Sequence, residues 1–140
     1  MASRSDIRIQ HVYPKSLLRY GEQLEFGWRA AGFSLDASLP APQNVVVLEI
    51  HASAQEEIVS VPGGKVDIVL VHRPEEWILR YSEREREQQI GAARAIVLLG
   101  RSFVSEIQRF YPKLLVEAIP HGFFSFRVDS VFPVLGSVTT

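Results

Sequence analysis

The 140-residue chain contains no cysteine. That excludes a disulfide framework and any thiolate-bound metal, and it fits a reducing compartment. An excess of one charge is also missing. Fifteen Lys and Arg against sixteen Asp and Glu leave a formal net charge of −1, which argues against a domain that binds nucleic acid by bulk electrostatics. No apolar run approaches the ~20 residues needed to span a bilayer. The opening "MASRSDIRIQ" has no apolar stretch of signal-peptide length behind its basic residues, so the expectation is a cytoplasmic protein.

Phosphate-cradling loops are absent too. The first strand-like run is followed by "YPKSLLRYG", with one late glycine, Gly21, rather than GxGxxG or a Walker motif. Direct dinucleotide or ATP binding has no support, and no cofactor is expected. There is no GxSxG elbow for a serine nucleophile. The carboxylate pairs Glu56-Glu57 and Glu75-Glu76 are sequence neighbours, which on a helix point about 100° apart. No acid/base dyad is visible.

What is present is a globular composition, 46% hydrophobic and 22% charged, in a length suited to one domain. "IRIQHVY" reads as a strand closed by Pro14. Leu17, Leu24, Trp28 and Ala31, with Tyr20 beside them, have helical spacing between Ser16, a candidate N-cap, and Gly32, a candidate C-cap. "FSLDASLP" reads as a short strand. Asn44 to Ala52, Val66 to His72, Arg94 to Gly100 and Leu114 to Pro120 are nearly continuous apolar or β-branched runs, the mark of strands covered on both faces.

Helices fill the spaces between. "SAQEEIVSV" predicts a short one, stopped at Pro62 to Gly64. One long helix is expected from Pro74 to Ala93, its inner stripe Trp77, Ile78, Tyr81 and Ile90, with "EREREQ" (Glu83 to Gln88) a solvated face. A last helix starts at Ser102, a candidate cap. Strand and helix alternating at this regularity predict an α/β fold: an open, mostly parallel sheet with helices on both faces, Rossmann-like and three-layered.

In such sheets ligands bind beyond the carboxyl ends of the strands. His51, His72 and His121 fall there, whereas His11 lies inside the first strand. Imidazole at a sheet rim can donate a hydrogen bond, act as a general base or bind metal; it can equally serve only to satisfy nearby backbone groups. A zinc centre is disfavoured, because no HxxxH or HExxH spacing puts two ligands on one element, and the metal expectation is none. Lys15, Arg19 and Arg73 are the basic residues near the same rim. Gly100 to Ser102 offers backbone N–H groups or a plain tight turn.

"ARAIVLLGRSFVSEIQRFYPKLLVEAIPHGFF" resembles the end of the N-terminal Rossmann-like domain of GT-B glycosyltransferases, the retaining group with family 4-like members. The matching features are Ala95-Ile96-Val97, the helix from Ser102, and Ile119-Pro120-His121-Gly122. "YGEQLEFGWRAAGFSLDA" is similar to that family's first helix, and "VDIVLVHRPEEW" to its strand ending in a cleft histidine. The resemblance is specific from Ala92 to Gly122 and looser before it.

The resemblance implies a division into residues 1–122, an acceptor-side domain, and 123–140, a linker and the start of a second domain. It implies a glycosyltransferase half, present as a fragment, a truncated product or a split-enzyme subunit, and not active alone. A nucleotide-sugar donor would bind through the second domain, and the acceptor would be a sugar or lipid-linked molecule, with peripheral membrane contact allowed. His72 matches the cleft histidine and takes the catalytic role, with His51 the other candidate for that position. His51, Arg73, Lys15, His121 and Gly122 form the expected substrate-binding set. Two other readings stand beside it. One is a stand-alone flavodoxin-like module binding a small ligand or a protein; the other is a small hydrolase using a rim histidine.

Overall fold

A computed structural model of the chain describes residues 7–35, 43–52, 61, 64–100 and 102–119. The expected helix at 53–61 and the stop at Pro62 to Gly64 fall mostly outside these residues, as do Pro40, Pro42, Arg101, His121, Gly122 and the segment 123–140.

The β-branched runs form strands where the sequence predicts them. They are β1 (Ile7–Val12), β2 (Gln43–Ile50), β3 (Ile68–His72), β4 (Ala95–Leu99) and β5 (Leu115–Ile119). All pair in parallel, in the spatial order β1-β2-β3-β4-β5. The helices are α1 (Leu18–Ala30), α2 (Pro74–Arg80), α3 (Glu83–Ile90) and α4 (Val104–Phe110).

Side chains alternate across the pleat, so each strand feeds two cores. Ile7, Ile9, Val45, Val47, Ile68, Leu70 and Val97 pack with Leu24 and Trp28 of α1 on one face. Leu48, Ile50, Val69, Val71, Ile96 and Leu98 pack with Trp77 and Tyr81, Ile90 and Ile107 on the other. The three-layer α/β arrangement is therefore as expected. Continuous apolar runs such as "VVVLEI" are needed because neither face of a central strand meets water.

The segment "FSLDASLP" contributes a single described bridge, Ser34 opposite Arg8, in parallel. Ser34 O accepts from Ile9 N at 2.8 Å, and Ser34 N donates to Ile7 O at 3.3 Å. Successive residues of a strand aim these groups to opposite sides, and β1 also pairs with β2. Ser34 therefore lies on the far edge of β1 from β2. The chain goes outward from β1 through α1, then returns past β1 to start β2. Such a reversal is a topological switch point, the place where open α/β sheets bind ligands.

Three local expectations are corrected. The long helix from Pro74 breaks at Tyr81 and Ser82. The Ser82 hydroxyl accepts from Glu85 N at 3.1 Å, and the Glu85 carboxylate accepts from Ser82 N at 2.9 Å, a reciprocal capping box that starts a new helix. "EREREQ" is not uniformly solvated either: Arg86 is buried. Its guanidinium donates to the carbonyls of Ile78 (3.0 Å) and Tyr81 (2.5 Å) and to the Tyr111 hydroxyl (3.1 Å), closing the C-terminal end of α2. Finally, neither Ser16 nor Ser102 is a helix cap. Leu17 and Phe103 hold those positions, and a 3-10 turn (Lys15–Leu17) precedes α1. Gly32, just past the end of α1, has φ +98°, which glycine adopts without strain.

A buried carboxylate and three histidines at the switch point

The α1 face of the sheet is apolar for most of its length and turns polar at its carboxyl end. His11 pairs with Val47, and Glu49 with Leu70. With a two-residue period, His11, Glu49, His51 and His72 continue the rows that begin as Ile7-Ile9, Val45-Val47 and Ile68-Leu70. The four side chains meet around Glu49, whose carboxylate is fully buried.

Every oxygen of that carboxylate is used. Oε1 receives His11 Nε2 at 2.7 Å. Oε2 receives His72 Nε2 at 2.9 Å and also contacts His51 Nε2. The rings of His51 and His72 stack with centroids 3.7 Å apart and planes 22° apart. Behind them, Trp28 Nε1 donates to His11 Nδ1 at 2.8 Å. An indole N–H can only donate, so His11 Nδ1 must accept and the ring proton sits on Nε2, facing Glu49.

The electrostatics follow from this packing. Burial alone would push the Glu49 carboxyl up. The hydrogen bonds from His11, His51 and His72 outweigh it and hold the group well below the usual carboxylate range. His72 moves down from its ordinary value, because burial disfavours the imidazolium more than Glu49 favours it. His72 is the most exposed of the three histidines, with 12% of its side chain accessible.

An open cleft of about 590 Å³ adjoins the cluster at the end of β1, lined by His11, Val12, Tyr13, Lys15, Leu18 and Glu25. Tyr13 donates its hydroxyl to Glu25 at 3.1 Å. Burial first, then the Glu25 charge and hydrogen bond, push this phenol up to about 12. The Tyr13 ring lies over α1 at Gly21, where an added Cβ would collide with the ring carbons. Gly21 is therefore a packing glycine, not part of a phosphate loop.

Of the residues expected at the site, His51 and His72 are brought together. Lys15 lines the neighbouring cleft, exposed. Arg73 is exposed and pairs with Glu76 at 3.1 Å, outside the cluster. It adopts a left-handed backbone (φ +49°) directly after His72, which turns the chain from β3 into α2. Arg19 is also exposed and lies on α1, away from the cluster. His121 and Gly122 lie outside the described residues. Glu49 and His11 are the residues sequence reasoning misses. The available signal is a lone carboxylate inside the apolar run "VVVLEIH", since such a charge needs partners when buried.

The arrangement can orient imidazoles, hold a proton between them, or offer three converging donor atoms. Glu49, His51 and His72 each bring one ligand atom within 4.8 Å of the others. No helix among the described residues is long and apolar enough to cross a membrane. No family model, curated protein or solved structure matches the chain.

Proposed function

We propose that this chain is the acceptor-side half of a GT-B glycosyltransferase, with the carboxyl-end rim of β1, β2 and β3 as one wall of its cleft. The observation that carries the reading is His72. It ends β3 at the sheet rim, next to a switch point, with its imidazole held by a buried carboxylate. The similarity of Ala92 to Gly122 to the family's domain end adds support, and β4, α4 and β5 follow in the order that similarity implies.

In this reading His72 contacts the transferred sugar, Glu49 orients its ring, and His51 lines the same wall. The nucleotide of the donor is held by a second domain. The neutral form of His72 is favoured by burial, which suits a ring that hydrogen-bonds a sugar hydroxyl rather than an anion.

The test is imidazole and amide NMR of the labelled chain, titrated with nucleotide sugars and with simple saccharides. Weak binding that shifts the His72 and His51 signals, without turnover, is the expected result. Sugar transfer by the chain alone would overturn the half-enzyme reading, and so would an unperturbed rim.

The strand order favours a second reading. With the Ser34 bridge counted, the sheet runs in the flavodoxin-type order, whose binding rim is complete within one domain. A stand-alone small-ligand module would bind at the same rim. Saturable binding of a flavin, visible as a yellow protein, would select it.

A further inference from the structure

The histidine rings are arranged in a way that sugar contact does not require. Two imidazoles, one at the end of β3 and one directly after β2, stack face to face and both aim Nε2 at one oxygen, Glu49 Oε2. His51, His72 and Glu49 can each offer one ligand atom, all within 4.8 Å of one another. Zinc-class ions bind imidazole nitrogen and carboxylate oxygen at about 2.0–2.2 Å, so tetrahedral donors lie about 3.3 Å apart. The gap between this cluster and a metal-holding one is small.

The surroundings also match a metal centre. Ligand carboxylates are normally fixed by an outer hydrogen bond, and that outer layer sets their orientation. Here the second oxygen, Oε1, is held by His11 Nε2, and His11 is itself held by the Trp28 N–H. This chain of donors leaves Oε2 turned to the two histidines. Glu49 sits on β2 and His72 on β3, where the backbone ladder fixes their positions, and His51 follows directly after β2.

We propose that Glu49 Oε2, His51 Nε2 and His72 Nε2 form a binding site for a divalent first-row transition-metal ion. The ion displaces the Nε2 protons that face Glu49, and each neutral ring then carries its proton on Nδ1. Two nitrogens and one oxygen suit zinc, cobalt or iron, and are too nitrogen-rich for calcium or magnesium. Three protein ligands leave a further position for water or a ligand oxygen at the rim, on the exposed side of His72. His11 and Trp28 are positioning residues, not ligands. The inference stands on the cluster alone and does not rest on the glycosyltransferase reading.

The full chain, freed of metal with a chelator and then dialysed, is titrated with Co²⁺ and with Zn²⁺. The expected result is one ion per chain, with visible cobalt d–d bands that zinc displaces. On zinc addition the His51 and His72 ring nitrogens shift, whereas His11 keeps its proton on Nε2. Glu49→Gln and His51→Gln each weaken binding at least tenfold. Arg109→Ala, exposed on α4 away from the sheet's carboxyl end, leaves it unchanged. Should a replacement fail to fold, the wild-type ring signals still decide the matter. No cobalt bands at millimolar ion would overturn the proposal. So would binding that shifts other groups and leaves His51 and His72 unmoved. Sugar binding without metal uptake would leave the proposed function standing and remove this site.

Discussion

Trp28 donates its indole N–H to Nδ1 of His11 across 2.8 Å, joining the first helix to the first strand at a buried imidazole. Because Nδ1 accepts, the ring must present Nε2–H to Glu49. Trp28→Phe keeps most of the apolar bulk and removes the donor. The loss of one buried hydrogen bond should cost about 1–3 kcal/mol, read by urea denaturation. Nitrogen-15 NMR should show a single His11 tautomer in the wild type and a mixture in the variant. An unchanged tautomer would mean that Glu49 alone fixes the ring.

Acid should weaken the fold in two stages, and the sign can be worked from the two shifted groups. His72 is harder to protonate when folded than when unfolded, so its contribution is present above about pH 6.5 and declines as pH falls below that. Glu49 is also held down. Its contribution is present above the unfolded value of about 4.3 and is lost as pH falls through the still lower folded value. In both cases the unfolded chain binds more protons, so stability rises with pH. Denaturation of the metal-free chain from pH 3 to 8 should show both limbs. Glu49→Gln should remove the lower one. Stability that increased on going from pH 7 to 5 would contradict the packing described.

Gly21→Ala should destabilise the protein despite adding a better helix former. The gain in helix propensity is about 1 kcal/mol, and forcing a methyl group into the Tyr13 ring costs about 1–3 kcal/mol. The ring should swing out from α1 and leave Glu25. Ultraviolet titration tests this directly: one phenol that ionises near pH 12 in the wild type should move toward the ordinary value of 10.

Arg86→Met should cost about 2–3 kcal/mol, since it leaves two carbonyls at the end of α2 without their charged donor. Arg86→Lys should recover only part of this, because an ammonium cannot spread over two carbonyls and a phenol as the guanidinium fork does. Chemical denaturation of the three proteins gives the order wild type, lysine, methionine; a lysine variant as stable as wild type would show that charge alone suffices.

The sheet was legible because strands buried on both faces write themselves as unbroken apolar runs: four such runs became β2 to β5, the β-rich "IRIQHVY" became β1, and "FSLDASLP" gave one described bridge. The break between α2 and α3 was written too, as Ser82 and Glu85 three residues apart, but the long apolar stripe from Trp77 to Ile90 overrode it. The site was half legible. His51 and His72 could be found because strand ends are where such sheets bind. His11 and Glu49 could not be grouped with them, because that grouping depends on register. Shifting β1 by one residue against β2 would send His11 to the other face, and one sequence does not fix the register of parallel strands. Spacing arguments along one element miss such a cluster for the same reason: Glu49 and His51 are two residues apart, but His11 and His72 come from neighbouring strands.

Glu49 and His72 lie on β2 and β3, strands flanked on both sides by other strands, while β5 ends the described sheet beyond β4. Amide exchange should therefore rank the molecule from its margin inward. Amides of β5 would exchange through local opening, and those of β2 and β3 beside the cluster only when the whole sheet comes apart. A group that reaches the cluster past His72, its most exposed histidine, does so without the strands parting. Its arrival rate would follow ring motion, whereas its hold on the protein would slow global unfolding itself.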